Sequence, residues 1–336
     1  SVVPQPTVAV TTINTPCIGY AASAVLSSQA GNTLSYRLGT ASPVDFTFSS
    51  SSATIGLGTL SAPTVYRLLS ISNSGCSVPV SSIYTITPNA MQWLGTVSSD
   101  WNDGSNWKCG FQPTASDDAI IPSGTTYSPE LVAAGTGTTR NITIQSGAAV
   151  ALNSSSILSV KGSVSNDGQI TGSGKVALNG TSSQTITGIG SLNNLELDNT
   201  SGASVSGASR MTIRRTLTIT SGTLNTNDSV VLASDASATA RVAPIVSGGI
   251  NGQVQLQKYI PGGRRAYRFL SHPFAEAMSL MQWQDGDIDI TGTGGATNGF
   301  TFTGSNAASA FRYNPTVGNS ASSYDPGWRP ITNLLS

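Results

Sequence analysis

Charge is what this sequence has least of. Lys and Arg number 16 and Asp and Glu 16, together 10% of 336 residues with a net charge of zero. A neutral chain has no electrostatic footprint for nucleic acid or an anionic membrane. Histidine occurs once, as His272 in Ser271-His272-Pro273. One His and scattered cysteines cannot supply a His-based zinc site. No Gly-x-Ser-x-Gly elbow accompanies it, so His272 reads as a structural loop residue and no catalytic residue is assigned. No run approaches the ~18 apolar residues of a membrane span. The chain opens at Ser1 without a Met, which fits either a cloned fragment or a processed segment of a secreted precursor.

Cysteine is also sparse, with three residues, Cys17, Cys76 and Cys109. Cys17 and Cys76 share the N-terminal stretch and are expected to pair, which would stabilise by roughly 4 kcal/mol. A disulfide implies an oxidising, extracytoplasmic setting. Two buried thiols are the other reading. Cys109 is left over, as a free or intermolecular thiol.

What is abundant is turn and strand chemistry. The 36 glycines come with many Ser, Thr and Asn, and 38% of residues are hydrophobic. That predicts an ordered all-β chain rather than a disordered one. Three regimes follow each other. Residues 1–90 alternate in short stretches such as Val44-Asp45-Phe46-Thr47-Phe48 and Val65-Tyr66-Arg67-Leu68-Leu69. They predict an immunoglobulin-like β-sandwich ending in a linker at Thr87-Pro88-Asn89-Ala90.

Residues 91–250 open on Trp93, Trp101 and Trp107 and continue as very short apolar pulses. Ile142-Thr-Ile144, Val150-Ala-Leu152, Ile157-Leu-Ser-Val160 and Val176-Ala-Leu178 are typical. Pulses this short, each soon followed by Gly, Asn, Ser or Asp, predict a right-handed parallel β-helix with about three strands per rung. A sandwich of meanders is the alternative. Residues 251–336 read as a further β-sandwich, apparently incomplete. It would start with a hairpin of Val254–Tyr259 and Arg264–Leu270 and hold one short helix over Ala275–Trp283.

Candidate sites are few. Between Asn141 and Leu232 the acids are Asp167, Glu196, Asp198 and Asp228, the bases Lys161, Lys175, Arg210, Arg214 and Arg215, and aromatics are absent. That is thin for a glycosidase or lyase cleft. Two clusters offer oxygen ligands for calcium, Asp100-Asn102-Asp103 (with Asp117-Asp118 close by) and Asp285-Asp287-Asp289. Neither fits the helix-loop-helix calcium pattern, and the other reading is turns in which Asp caps its own backbone. No other cofactor is implied. The three tryptophans are read as a hydrophobic cap for the open end of the β-helix rather than as a sugar platform.

Two segments carry a resemblance. One is Trp93-Leu-Gly through Asp100-Trp-Asn-Asp-Gly-Ser-Asn-Trp107 to Asp117-Asp-Ala-Ile-Ile-Pro122, the other Tyr259-Ile-Pro-Gly-Gly-Arg-Arg-Ala-Tyr-Arg-Phe-Leu-Ser-His-Pro273. They resemble large cell-surface adhesins and extracellular filament proteins of the Bacteroidota, exported by type IX secretion. The resemblance implies an extracellular or cell-surface location and a structural or adhesive role; the lone His and the few acids of the β-helix argue against catalysis. It also implies O-glycosylation of Ser229 within Asp228-Ser229-Val230. Expected partners are neighbouring copies in a fibre, a missing strand being supplied by the next chain, and glycans. A polysaccharide-binding or -degrading β-helix and a phage-like fibre are the rival readings.

Overall fold

The computed structural model describes residues 4–262, 269, 277–284, 288–316 and 327–335. The chain divides into two compact units, Ser1–Pro261 and Gly262–Ser336.

The first unit begins with a β-sandwich. Its strands are β1 (Val8–Ile13), β2 (Ala21–Ser28), β3 (Thr33–Leu38), β4 (Val44–Thr47), β5 (Ser52–Thr59), β6 (Thr64–Ser72), β7 (Ser77–Pro79) and β8 (Ile83–Ile86). One sheet runs β1-β2-β5 and the other β4-β3-β6-β7, with β8 also on β6. This is an immunoglobulin-like arrangement. It follows from period-two alternation: in β2, Ala22, Ala24 and Leu26 point inward and are buried. They meet Leu34, Phe48, Tyr66, Leu68 and Ile71 from across the sandwich.

The rest of the first unit is a parallel β-solenoid. Three strand faces recur per rung. On the first face Ile142 pairs with Val164 and Val164 with Ile186, a rung of 22 residues each time. On the second face Val150 lies over Ile170, which lies over Leu192, then Ile213 and Leu232. On the third face Leu158, Val176, Leu195 and Leu217 form the corresponding stack. Two long strands, Ser191–Asp198 and Met211–Ser221, bend through a register shift and serve the second and third faces together. The apolar pulses therefore lie on top of one another, and they build one continuous core.

The corner between the third and first faces is polar yet buried. Gln184 is 1% and Asn199 2% exposed. The Gln184 side chain donates to the Val160 carbonyl at 2.9 Å and accepts from the Asn199 amide at 2.9 Å. Such satisfied amides are tolerated where orphaned ones are not. The same corner needs glycine: a Cβ on Gly222 (φ +80°) would come 1.9 Å from the Asn199 carbonyl oxygen.

The solenoid runs further than expected. Val254–Leu256 pairs in parallel with Val230–Leu232, so this stretch is a solenoid strand rather than the first arm of a hairpin. The hairpin's other arm, Arg264–Leu270, lies almost wholly outside the described residues. In the second unit the described residues form a hairpin of Phe311–Tyr313 with Trp328–Pro330. A helix spans Leu280–Gln284, and a small core gathers Ile290, Phe300 and Leu334. Phe300–Phe302 follows a 3-10 turn at Gly295–Asn298 and joins no sheet among the described residues.

The expected Cys17–Cys76 pair is not made. Cys17 bonds to Cys109, 92 residues away, and Cys76 is free and exposed. The reason is the length of the sandwich. Cys17 lies just before β2, where the sandwich abuts the solenoid. Cys76 sits in the β6–β7 turn, held by Asn73, whose side chain accepts from the Gly75 and Cys76 amides. That turn is at the other end of the sheets, where Ser72 pairs with Thr33 and Ser77. An eight-residue strand such as β2 spans about 26 Å, far beyond the ~7 Å Cα limit for a disulfide.

Candidate functional site

The junction of sandwich and solenoid is built around the disulfide. Cys17 bridges to Asn89, whose carbonyl accepts from Ile18 at 3.0 Å and whose amide donates to Pro16 at 2.8 Å. The stretch expected as a loose linker is thus pinned. Tyr20 of the sandwich packs its ring on Phe111 of the solenoid's first turn, with centroids 4.9 Å apart. Its hydroxyl faces the Asp117 carboxylate at 3.5 Å. Beside it Arg140 makes a two-pronged contact with Asp118, at 2.6 and 2.7 Å.

The tryptophans lie inside the same end. Trp93, Trp101 and Trp107 are 0%, 0% and 2% exposed and belong to the solenoid core. Trp107 meets Trp93 and Trp101 edge to face, at 5.1 and 4.8 Å. Its indole N–H donates to the Trp101 carbonyl at 2.8 Å, and that of Trp93 to the Tyr127 carbonyl at 2.7 Å. Buried this deeply, they offer no ring face to a sugar. The loop around them turns on Asn106, fully buried, whose side chain accepts from the Val97 and Ser98 amides and donates to the Asp100 carbonyl. Sequence reasoning passed over Asn106, although a buried Asn in a tight loop is a common backbone surrogate.

The calcium candidates spend their carboxylates locally. Asp100 accepts from the Asn102 amide and Asp103 from the Ser105 amide, both at 2.9 Å. Among the described residues no three His, Cys, Asp or Glu side chains gather as metal ligands. Asp285 and Asp287 lie outside the described residues, as does His272; Asp289 is exposed. Ser229 is half-buried in the turn at Asn227 and Asp228 (φ +45° and +56°), and its hydroxyl donates to the Asn227 carbonyl at 2.9 Å.

The four solenoid acids do not converge. Glu196 pairs with Lys175 at 2.5 Å on the third face, and Asp198 accepts from the Ser221 hydroxyl one rung on. Asp167 and Asp228 sit at the corner between the first and second faces. Asp228 accepts from the Gln253 amide at 2.7 Å. Asp167 accepts from the Ile189 amide at 3.1 Å.

Asp167 also lines a groove of about 450 Å³ along this corner, with Gln169, Ile189, Ser191, Thr212 and Arg214. The groove exists because Gly147, Gly168 and Gly190 recur at the corner and put no side chain there. Two of these glycines are enforced by stacking: a Cβ on Gly168 would come 2.3 Å from the Ala148 carbonyl oxygen, and one on Gly190 2.4 Å from that of Gly168. Arg214 spends only its Nε on Ser191, at 3.3 Å, and Ile189 is 72% exposed on the rim. The lining can donate, accept and offer an apolar face, which is the equipment of a small polyol site. It holds one carboxylate, whereas glycoside hydrolysis uses a flanking pair. Arg214 was noted in the sequence only as one of several bases. The 21- and 22-residue spacing of the three glycines was the signal that could have placed it.

Comparison with known proteins adds one finding. No curated protein and no solved structure matches the chain. Residues 92–193 match the model of a family described as a domain of unknown function (DUF8693), a span that takes in the tryptophan cap and the first solenoid rungs.

Proposed function

We propose that this chain is a structural and adhesive segment of an extracellular surface protein. The observation that carries the reading is the Cys17–Cys109 bond, which ties one β-module to the next instead of closing a single module. A bond so placed suits a chain that transmits pull from module to module, and disulfides persist in oxidising compartments. The resemblance to Bacteroidota adhesins and filament proteins supports the same reading, with type IX secretion as the route. In it the solenoid is a stiff spacer, and the Asp167–Arg214 groove is where a surface glycan makes contact.

The test is retention under flow. Beads coated with the full chain should hold to a panel of immobilised oligosaccharides, and Arg214→Gln should weaken that hold about tenfold or more. Beads that hold to no surface or glycan, together with isolated monomers in electron micrographs at every concentration, would contradict both the adhesive and the fibre forms.

A polysaccharide-degrading β-helix is the rival reading, and the single carboxylate of the groove, Asp167, counts against it. Release of reducing sugar that disappears in Asp167→Asn would establish it over the first.

A further inference from the structure

The first 90 residues contain three charged side chains, Arg37, Asp45 and Arg67. Two of the three face each other. Arg37 on β3 is the direct cross-strand partner of Arg67 on β6. Both neighbours of each point inward: Tyr36 and Leu38 pack against the sandwich core, and Tyr66 and Leu68 are buried in it. Alternation therefore puts both guanidinium groups on the outer face of the same sheet.

Like charges directly opposite in an antiparallel pair are destabilising. Among the described residues no acid pairs with either guanidinium. Asp45 lies opposite Ser35, and among the described residues the ion pairs are Arg140–Asp118 and Lys175–Glu196. The Arg37 Nε is buried against the sheet without an acceptor. A donor desolvated in this way calls for one. The next residue across the sheet, opposite Arg67 on β8, is Ile83, 54% exposed. The outer face thus holds two unpaired forks of N–H donors beside an apolar side chain.

We propose that Arg37 and Arg67 are a binding site for the oxyanion of an acidic polysaccharide, with Ile83 packing against the sugar ring. Guanidinium forks match carboxylate and sulfate oxygens in two-pronged fashion, and one anion between two arginines cancels their repulsion. Carboxylate and sulfate ester present the same chemistry, so the probes must separate them. The site lies on the sandwich, not among the solenoid residues that line the groove, and does not depend on it.

The experiment uses the full chain on immobilised polygalacturonate, dextran sulfate and neutral dextran at matched salt. Retention on at least one acidic polymer and none on neutral dextran is expected, and which polymer holds it names the anion. Arg37→Gln and Arg67→Gln should each weaken retention at least tenfold, while Arg241→Gln, on the solenoid, should not. The same polymer should raise the melting temperature of the wild type but not of either variant. Without polymer, Arg67→Gln should melt at or above the wild type because the repulsion is gone. Absence of binding to both acidic polymers overturns the proposal. Equal binding to neutral dextran, or an equal loss in Arg241→Gln, does so too.

Discussion

The sandwich and the solenoid are made of the same material and hold themselves together differently. In the sandwich, antiparallel strands from distant parts of the module close on a shared core, with Tyr66 and Phe48 among its largest side chains. In the solenoid each strand lies on one from the next rung, and the core beyond the cap is stacked Ile, Leu and Val. A sandwich is finished when its two sheets meet. A rung is never finished alone, because its upper and lower edges need neighbours. This is why the three bulky tryptophans sit at the first turns of the solenoid and none lies deeper in it. They close the end that no rung covers.

That difference predicts the largest effects at the cap. Trp107→Ala should destabilise the solenoid by about 3–5 kcal/mol. Urea unfolding followed by hydrogen exchange should show the solenoid opening early while the sandwich amides stay protected. Equal loss in both modules would break the comparison.

Next come aliphatic truncations, one in each module. Leu195→Ala in the solenoid and Leu68→Ala in the sandwich should both cost about 2–5 kcal/mol. Leu195 stacks between Val176 and Leu217, so its loss should lower exchange protection in the rungs on both sides. Loss of Leu68 should lower protection throughout the sandwich.

Glycine sharpens the contrast at smaller scale. Gly58 in the sandwich (φ +74°) has open space where a Cβ would go, so Gly58→Ala meets only the left-handed backbone penalty of about 1 kcal/mol. Gly222 has nearly the same φ with a carbonyl in the way, and Gly222→Ala should cost ~1–3 kcal/mol more. Thermal melts of the two variants would decide; equal shifts would mean that the rungs yield freely.

The smallest effect is electrostatic and lies at the seam. Desolvation pushes the Asp118 carboxyl up, but the hydrogen bonds and charge of Arg140, with Asn141, outweigh it and hold the group below its usual value. A depressed carboxyl stabilises the fold above its unfolded pKa of about 3.9 and loses that contribution as pH falls through the lower folded value. Both side chains are about half exposed, so Asp118→Asn should cost under about 1 kcal/mol at neutral pH. The difference from wild type should shrink as pH falls below the unfolded value of about 3.9 and vanish once pH has passed the lower folded value. A gap that persists there would mean that Asp118 acts by packing.

Much of this was legible in the sequence because strand periodicity is local. The pulses at Ile142, Val164 and Ile186 announce a rung, and the tryptophan cluster marks where the stack begins. What was not legible depends on distance through space. Cys17 and Cys76 share a module, yet the five strands between them leave them at opposite ends, while Cys109 comes back from the next module. Val254–Leu256 alternates like a hairpin arm because a solenoid strand and a hairpin strand have the same period of two. The groove was hidden for a related reason: Asp167, Ile189 and Arg214 come from successive rungs and converge only when the corner glycines are stacked.

The cystine cross-links the two modules, which the backbone otherwise joins only through the stretch before Met91. Peptide mapping of the alkylated, non-reduced protein tests this most directly. A linked peptide pair containing Cys17 and Cys109, with Cys76 alkylated, is the predicted result. A Cys17–Cys76 pair with Cys109 alkylated would contradict it, and the sandwich and the solenoid would then be two separately closed modules.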